Sequence, residues 1–264
     1  MKTRPALLFV FFFAVLHIAE AQRKIKSLSV SDEIVYATVD RPGELYVLTK
    51  NGQIQRFDVN GKLMAVYRNN PAPTLFDPRD GSRLFAYFRE DQHYDFLNPS
   101  FEVTAGHVVD SSFVAEPWLV CISGDHNVWI LDASDESLKR VNVTTSRIEA
   151  DTQVTPNPTG MMATYTFMRE YQGFLFLLDN KRGILIFNSL GKIIKTIAYP
   201  GVPYFNFIGE ELYYPENGKI KFFNLFTAET RDMSVAGAPQ FTLITDERMF
   251  TIKGNAIDFF ELIH

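Results

Sequence analysis

The chain has 264 residues, 46% of them hydrophobic and 14% aromatic, with 26 Lys and Arg against 31 Asp and Glu and a single cysteine. The acid excess repels phosphate backbones, and no basic run carries interleaved aromatics, so nucleic acid is excluded as a partner. Cys121 has no second thiol to pair with and reads as a small buried apolar side chain.

In chain order, Lys2 and Arg4 begin a basic start, "ALLFVFFFAVL" follows as a short apolar run, and "AEA" precedes Gln22. That order predicts a secretory signal peptide over residues 1–21, leaving residues 22–264 as one exported domain, secreted or periplasmic. No cysteine stands at the cleavage point to take a lipid, and no later stretch approaches spanning length, so neither a lipid anchor nor a transmembrane segment is expected after signal removal. The exported part keeps 24 basic and 30 acidic residues, a net charge of −6, and is read as a monomer.

The next strand-like run, "RKIKSLSV" at 23–30, has no partner nearby. Beyond it the chain repeats itself. "ELYVLTKNGQIQRFDVNGKLMAVY" (44–67) and "FLFLLDNKRGILIFNSLGKIIKTI" (174–197) align without a gap, apolar on apolar, with Gly61-Lys62 over Gly191-Lys192. Looser copies place anchor residues at Phe57, Phe96, Leu131, Phe187, Phe223 and Phe260, spaced near the length of a four-stranded propeller blade except for one gap of 56. Asn51-Gly52, Asn60-Gly61 and Asn217-Gly218 supply the positive φ of tight hairpin turns, so the copies are antiparallel. Upstream runs, "EIVYATV", "PTLFD", "VVDSSFV", "MMATYTFM", "PYFNFIG" and "QFTLITD", give the innermost strand of each blade, here strand A, with B, C and D following outward. The sixth copy ends on a C strand, and residues 23–30 are expected to supply its D strand, closing the ring and removing the sheet edges. The fold class predicted is all-β, a six-bladed β-propeller.

The parts Leu45-Tyr46, Asn51-Gly52, Ile54, Phe57-Asp58 and Gly61-Lys62, and again Leu177-Leu178-Asp179-Asn180, Ile184, Phe187-Asn188 and Gly191-Lys192, resemble the NHL-type repeat. The resemblance is good in blades 1 and 4, partial in blade 5 and loose in the others. It implies a six-bladed ring and no particular activity, because the group holds both binding modules and enzymes.

Function is less plainly written. Ligands of propellers commonly bind the face that carries the D-to-A links and B-to-C turns, and the long gap predicts a mobile flap there at residues 144–160. His93, His107, Asp125 and His126 map to that face, with Arg182 and Tyr199 as further binding candidates. Strand A oxygens offer Asp77, Asp110 and Asn206 to the central channel, where with His107 they could hold a divalent metal. No nucleophile elbow, Gly-rich phosphate loop or zinc helix motif occurs. The first expectation is therefore an exported binding or scaffolding module, without cofactor, presenting this face to a protein or glycan. The alternative is a metal-dependent hydrolase or lyase working at the channel. Asn142-Val143-Thr144 is a glycan acceptor pattern if the compartment glycosylates.

Overall fold

The computed structural model describes residues 21–264 apart from 69, 70, 80, 125, 126, 156–159, 161 and 264, so the signal segment expected over 1–21 falls, but for Ala21, outside the described residues. The chain opens with β1 (Ala21–Ser29). Blade 1 follows as β2 (Ile34–Val39), β3 (Leu45–Thr49), β4 (Ile54–Phe57) and β5 (Leu63–Tyr67). Blade 2 is β6 (Leu75–Asp77), β7 (Leu84–Phe88), β8 (His93–Leu97) and β9 (Val103–Val108). Blade 3 is β10 (Pro117–Ser123), β11 (Asn127–Asp132), β12 (Ser137–Asn142) and β13 (Arg147–Gln153). Blade 4 is β14 (Tyr165–Tyr171), β15 (Phe174–Asp179), β16 (Gly183–Phe187) and β17 (Ile193–Ile197). Blade 5 is β18 (Asn206–Ile208), β19 (Glu211–Glu216), β20 (Lys219–Asn224) and β21 (Thr230–Ser234). Blade 6 takes β22 (Phe241–Ile244), β23 (Arg248–Lys253), β24 (Ala256–Ile263) and, as its outer strand, β1.

The ring is a six-bladed propeller closed by its N-terminal strand. β1 runs antiparallel to β24 from Ala21 opposite Ile263 to Ser29 opposite Ala256. Leu28 packs on the core of that blade, whereas Ile25 sits at a bulge between Lys24 and Lys26 and is exposed. The closing strand thus holds by its ladder, by Leu28 and by Lys26, whose ammonium donates to the Gly61 carbonyl of blade 1 at 2.9 Å.

The repeated turn signature has a physical cause. Asp58 Oδ1 accepts from the amides of Asn60 and Lys62, and Asn188 Oδ1 does the same for Leu190 and Lys192, so each short side chain caps a C-to-D turn. The glycine inside each turn has positive φ and touches the preceding blade. A Cβ on Gly61 would lie 2.9 Å from the Phe259 ring of blade 6, and one on Gly191 would lie 2.9 Å from Thr152 of blade 3. In blade 2 the same slot holds Phe101 at φ 65°, its ring buried against Tyr46 and Tyr67 of blade 1 and Phe76 of its own blade. Burial of a whole phenyl group there stabilises by roughly 1.5–3 kcal/mol, enough to offset a left-handed backbone of about 1–2 kcal/mol.

Blade 3 corrects the sequence reading. Its A strand is 117–123 and not "VVDSSFV", which forms the link from blade 2 and turns at Asp110, where the carboxylate accepts the Ser112 amide. Every later strand of the blade moves inward by one place. Leu131 is therefore on strand B, and the place that Phe57 and Phe187 hold in their blades, just before the residue that caps the C-to-D turn, is taken by buried Val141, opposite Val128 on strand B. Of the flap expected over 144–160, residues 147–153 form β13, the outer strand. Phe57, Phe96, Phe187 and Phe223 are buried as expected, and Phe260 is half-buried.

Candidate functional site

Each A strand runs toward the same end of the central channel, and there the chain turns back into strand B. A cavity of about 650 Å³ opens at this A–B end. Among the described residues its wall comes from five blades: Asp40 and Arg41 of blade 1, Arg79 of blade 2, Arg169 to Gln172 of blade 4, Asn206 and Phe207 of blade 5, and Thr245 and Asp246 of blade 6.

Its floor is a polar strut across the channel. Arg169, on the innermost strand of blade 4, reaches Asp77 of blade 2 at 3.2 Å and donates to Asn206 Oδ1 of blade 5 at 3.0 Å. Asn206 in turn donates to Thr38 Oγ1 of blade 1 at 3.2 Å. All four residues are buried, and side chains two residues back on β2 and β14, Tyr36 and Phe167, meet below them with centroids 5.9 Å apart. Burial pushes the Tyr36 phenol well above its ordinary pKa, so it stays a neutral donor, bonded to the Phe76 carbonyl. Four blades are cross-linked through Arg169, which makes the floor rigid as well as charged.

The wall is equally tied. Arg79 donates to the Ile122 carbonyl at 3.0 Å and to the Glu170 carbonyl at 3.4 Å. Glu170 turns its carboxylate toward blade 3, accepting from Ser123 and, at 2.8 Å, from Trp129 Nε1. Tyr171 stacks on Phe207 at 4.2 Å and donates to the Gly209 carbonyl, as does Gln172. Asp40 accepts from the Glu44 amide at 2.8 Å and the Tyr46 hydroxyl at 3.0 Å; burial outweighs those bonds and raises its carboxyl to about 6.

The residues singled out from sequence scatter. Asp77 and Asn206 do meet in the channel, but with the Arg169 guanidinium between them, so a cation would have to displace a positive charge already bonded to both. Asp110 is in the blade 2 to blade 3 link and His107 is on the outer strand β9, stacked on Tyr94. His93 stacks on Phe88 and pairs with Val108 while His107 pairs with Tyr94, which sets the two imidazoles on opposite faces of one sheet. Arg182 is held by Asp179 and the Tyr165 hydroxyl, and Tyr199 by Asn217. Asp125 and His126 lie outside the described residues. Among the described residues no three His, Cys, Asp or Glu side chains are grouped as a metal would need. Burial raises the Cys121 thiol far above its ordinary pKa, the opposite of what a nucleophile needs.

Sequence reasoning missed Arg169 and Arg79. The signal for Arg169 was present: in "TYTFMRE" an arginine on an innermost strand must either face the channel or be paired across it.

The fold and this cavity define a six-bladed propeller with a pocket at the mouth of a cross-braced channel. No protein-family model matches the chain, and no curated protein matches it. Solved structures do. Virginiamycin B lyase from Staphylococcus aureus superposes with a TM-score of 0.59 at 12% identity, covering 92% of this chain and all of that one. The Pan2 WD40 domain of Neurospora crassa gives 0.61 at 9% identity, covering 92% and 96%, and a streptogramin B lyase gives 0.55 at 12%, covering 92% and 88%. At such identities the likeness is one of fold. No helix among the described residues is long and apolar enough to cross a membrane.

Proposed function

We propose that this protein is an exported binding propeller that receives the polar end of a glycan at the A–B mouth of its channel. The observation that carries the reading is the cavity of about 650 Å³ above the Arg169 strut. Its size is that of a small-molecule or sugar site, and pockets of this kind use a few fixed polar groups for orientation. Sugar rings offer apolar C–H faces and many hydroxyls. Tyr171 and Phe207 meet the first need, and Arg41, Gln172, Thr245 and Asp246 the second. A pocket floored by a rigid strut suits a ligand end better than a flat protein surface does. Export rests on the N-terminal sequence alone.

A lyase of the kind named among the similar structures would want a base in the pocket. Asp40, with its raised pKa, has both oxygens committed to Tyr46 and Glu44 and is poorly set to take a proton from a ligand.

A glycan array tests the proposal. Wild-type protein and the Tyr199→Ala variant should retain the same glycans, while Tyr171→Ala and Gln172→Ala lose them. Equal retention by all four proteins, or none by the wild type, would overturn it.

A further inference from the structure

Two guanidinium groups converge on one carboxylate under the mouth. Arg169 Nη2 stands 3.2 Å from Asp77 Oδ1, and Arg79 Nε stands 3.7 Å from Asp77 Oδ2, too far for a hydrogen bond. Three polar atoms are consequently buried without any hydrogen-bond partner: Arg79 Nε, Arg169 Nε and Asp77 Oδ2. Buried polar groups are normally satisfied, and a cluster of three orphans in one place is a departure that calls for a cause.

The strut itself brings two guanidinium groups to one carboxylate. Among the described residues the nearby acids are turned elsewhere: Glu170 is bonded to Ser123 and Trp129, and Asp40 to Tyr46 and Glu44, and neither forms an ion pair with Arg79 or Arg169. The unmet donors of both arginines lie directly below the cavity that the two residues line.

Resting on the binding role just given, we propose that the mouth selects a hydroxycarboxylate: a group whose carboxylate takes the Arg79 and Arg169 donors and whose neighbouring hydroxyl donates to Asp77. Each orphan then finds its complement, two N–H donors an anionic acceptor and the carboxylate oxygen a donor. Arg79, whose side chain is 29% exposed, is the part that moves, turning its Nε edge from Asp77 toward the ligand. Arg169 stays in place, held by Asn206 and Asp77. Such a group occurs in a uronic acid at the end of a glycan and in free small hydroxy acids.

The experiment titrates the intact wild-type protein with D-glucuronate, D-glucuronamide, D-glucose and glycolate, following the amide resonances of Gln172, Asn206 and Thr245. Glucuronate should bind about tenfold or more tightly than glucuronamide, the difference expected of one charge-assisted hydrogen-bonded pair. Arg79→Gln should bring the two together, and Arg79→Lys should restore part of the preference. Arg79 also braces two carbonyls, so the wild-type comparison stands by itself if these variants fail to fold. Glycolate as tight as glucuronate assigns the site to free hydroxy acids; glucuronate alone assigns it to a glycan end; both support the proposal. Glucuronamide or glucose binding as tightly as glucuronate overturns the acid preference and leaves the glycan mouth intact. No shift at the mouth with any of the four probes overturns both.

Discussion

Asp132 and Asp77 are equally buried, each 1% exposed, and they sit at opposite ends of the ring. Asp132 closes strand β11 at the end where B turns into C, and five donors serve it: the amides of Ala115, Glu116 and Ser134, the Ser134 hydroxyl and the Lys139 ammonium. Burial alone would push its pKa up, but those bonds, led by Lys139, win and hold it at about 2. Asp77 ends strand β6 at the mouth with one oxygen bonded to Arg79 N and Arg169, and the other bonded to nothing. A buried charge whose needs are met is structural glue, while one left short at the edge of a cavity marks where something else is meant to arrive.

Breaking the well-served charge should cost most. Asp132→Ala leaves buried Lys139 with Asp135 as its remaining carboxylate partner and frees three amides, so it should destabilise by about 3 kcal/mol in urea unfolding. A loss below about 1 kcal/mol would mean the pair is ornamental.

The two ends should also answer acid in opposite directions. Asp40 at the mouth has a folded pKa of about 6, above its unfolded value, so the folded state binds the extra proton. Stability should then fall as pH rises from about 4 to 6, by at most about 3 kcal/mol from this group, and Asp40→Asn should remove that slope. Asp132, with its pKa lowered, contributes stability above about pH 4 that is lost as pH falls toward 2, and Asp132→Ala should flatten that lower limb. Chemical denaturation at pH 3, 5 and 7 separates the two.

Asp77→Asn should cost less than the Asp132 variant, about 1–2 kcal/mol, because Arg169 keeps Asn206 and Arg79 keeps its carbonyls. A cost equal to that of Asp132→Ala would erase the distinction between the two ends. Arg182→Ala, at the far end, removes a half-exposed ion pair and should change stability by less than about 1 kcal/mol.

How much of this the sequence disclosed depended on where its signals lie. The Asp58 and Asn188 turns, with glycines that let a neighbouring blade approach, are local and repeat, so blades 1 and 4 could be matched residue by residue. Blade 3 has no glycine in its C-to-D turn; Asn142 caps the amides of Thr144 and Thr145, and Ser146 takes the positive φ. Without that marker the run at 108–114 passed for a strand, and all later strands of the blade were displaced. The site was legible in part. Asp77 and Asn206 were read as channel oxygens, correctly placed on innermost strands. That a single arginine from blade 4 would join them is a long-range fact, set by ring closure, and no spacing along the chain encodes it. Asp40 was missed for a related reason: its environment is made by Tyr46 and the turn to Glu44, not by any motif.

The central claim is that ligands enter at the A–B mouth. A crystal of the wild-type protein soaked with the glycan it retains best on an array tests this most directly. The account predicts density for the glycan end inside the cavity, within hydrogen-bond reach of Arg79, Arg169 and Gln172. Density instead at the opposite face, beside His107, Arg182 or Tyr199, with the cavity holding only water, would contradict it.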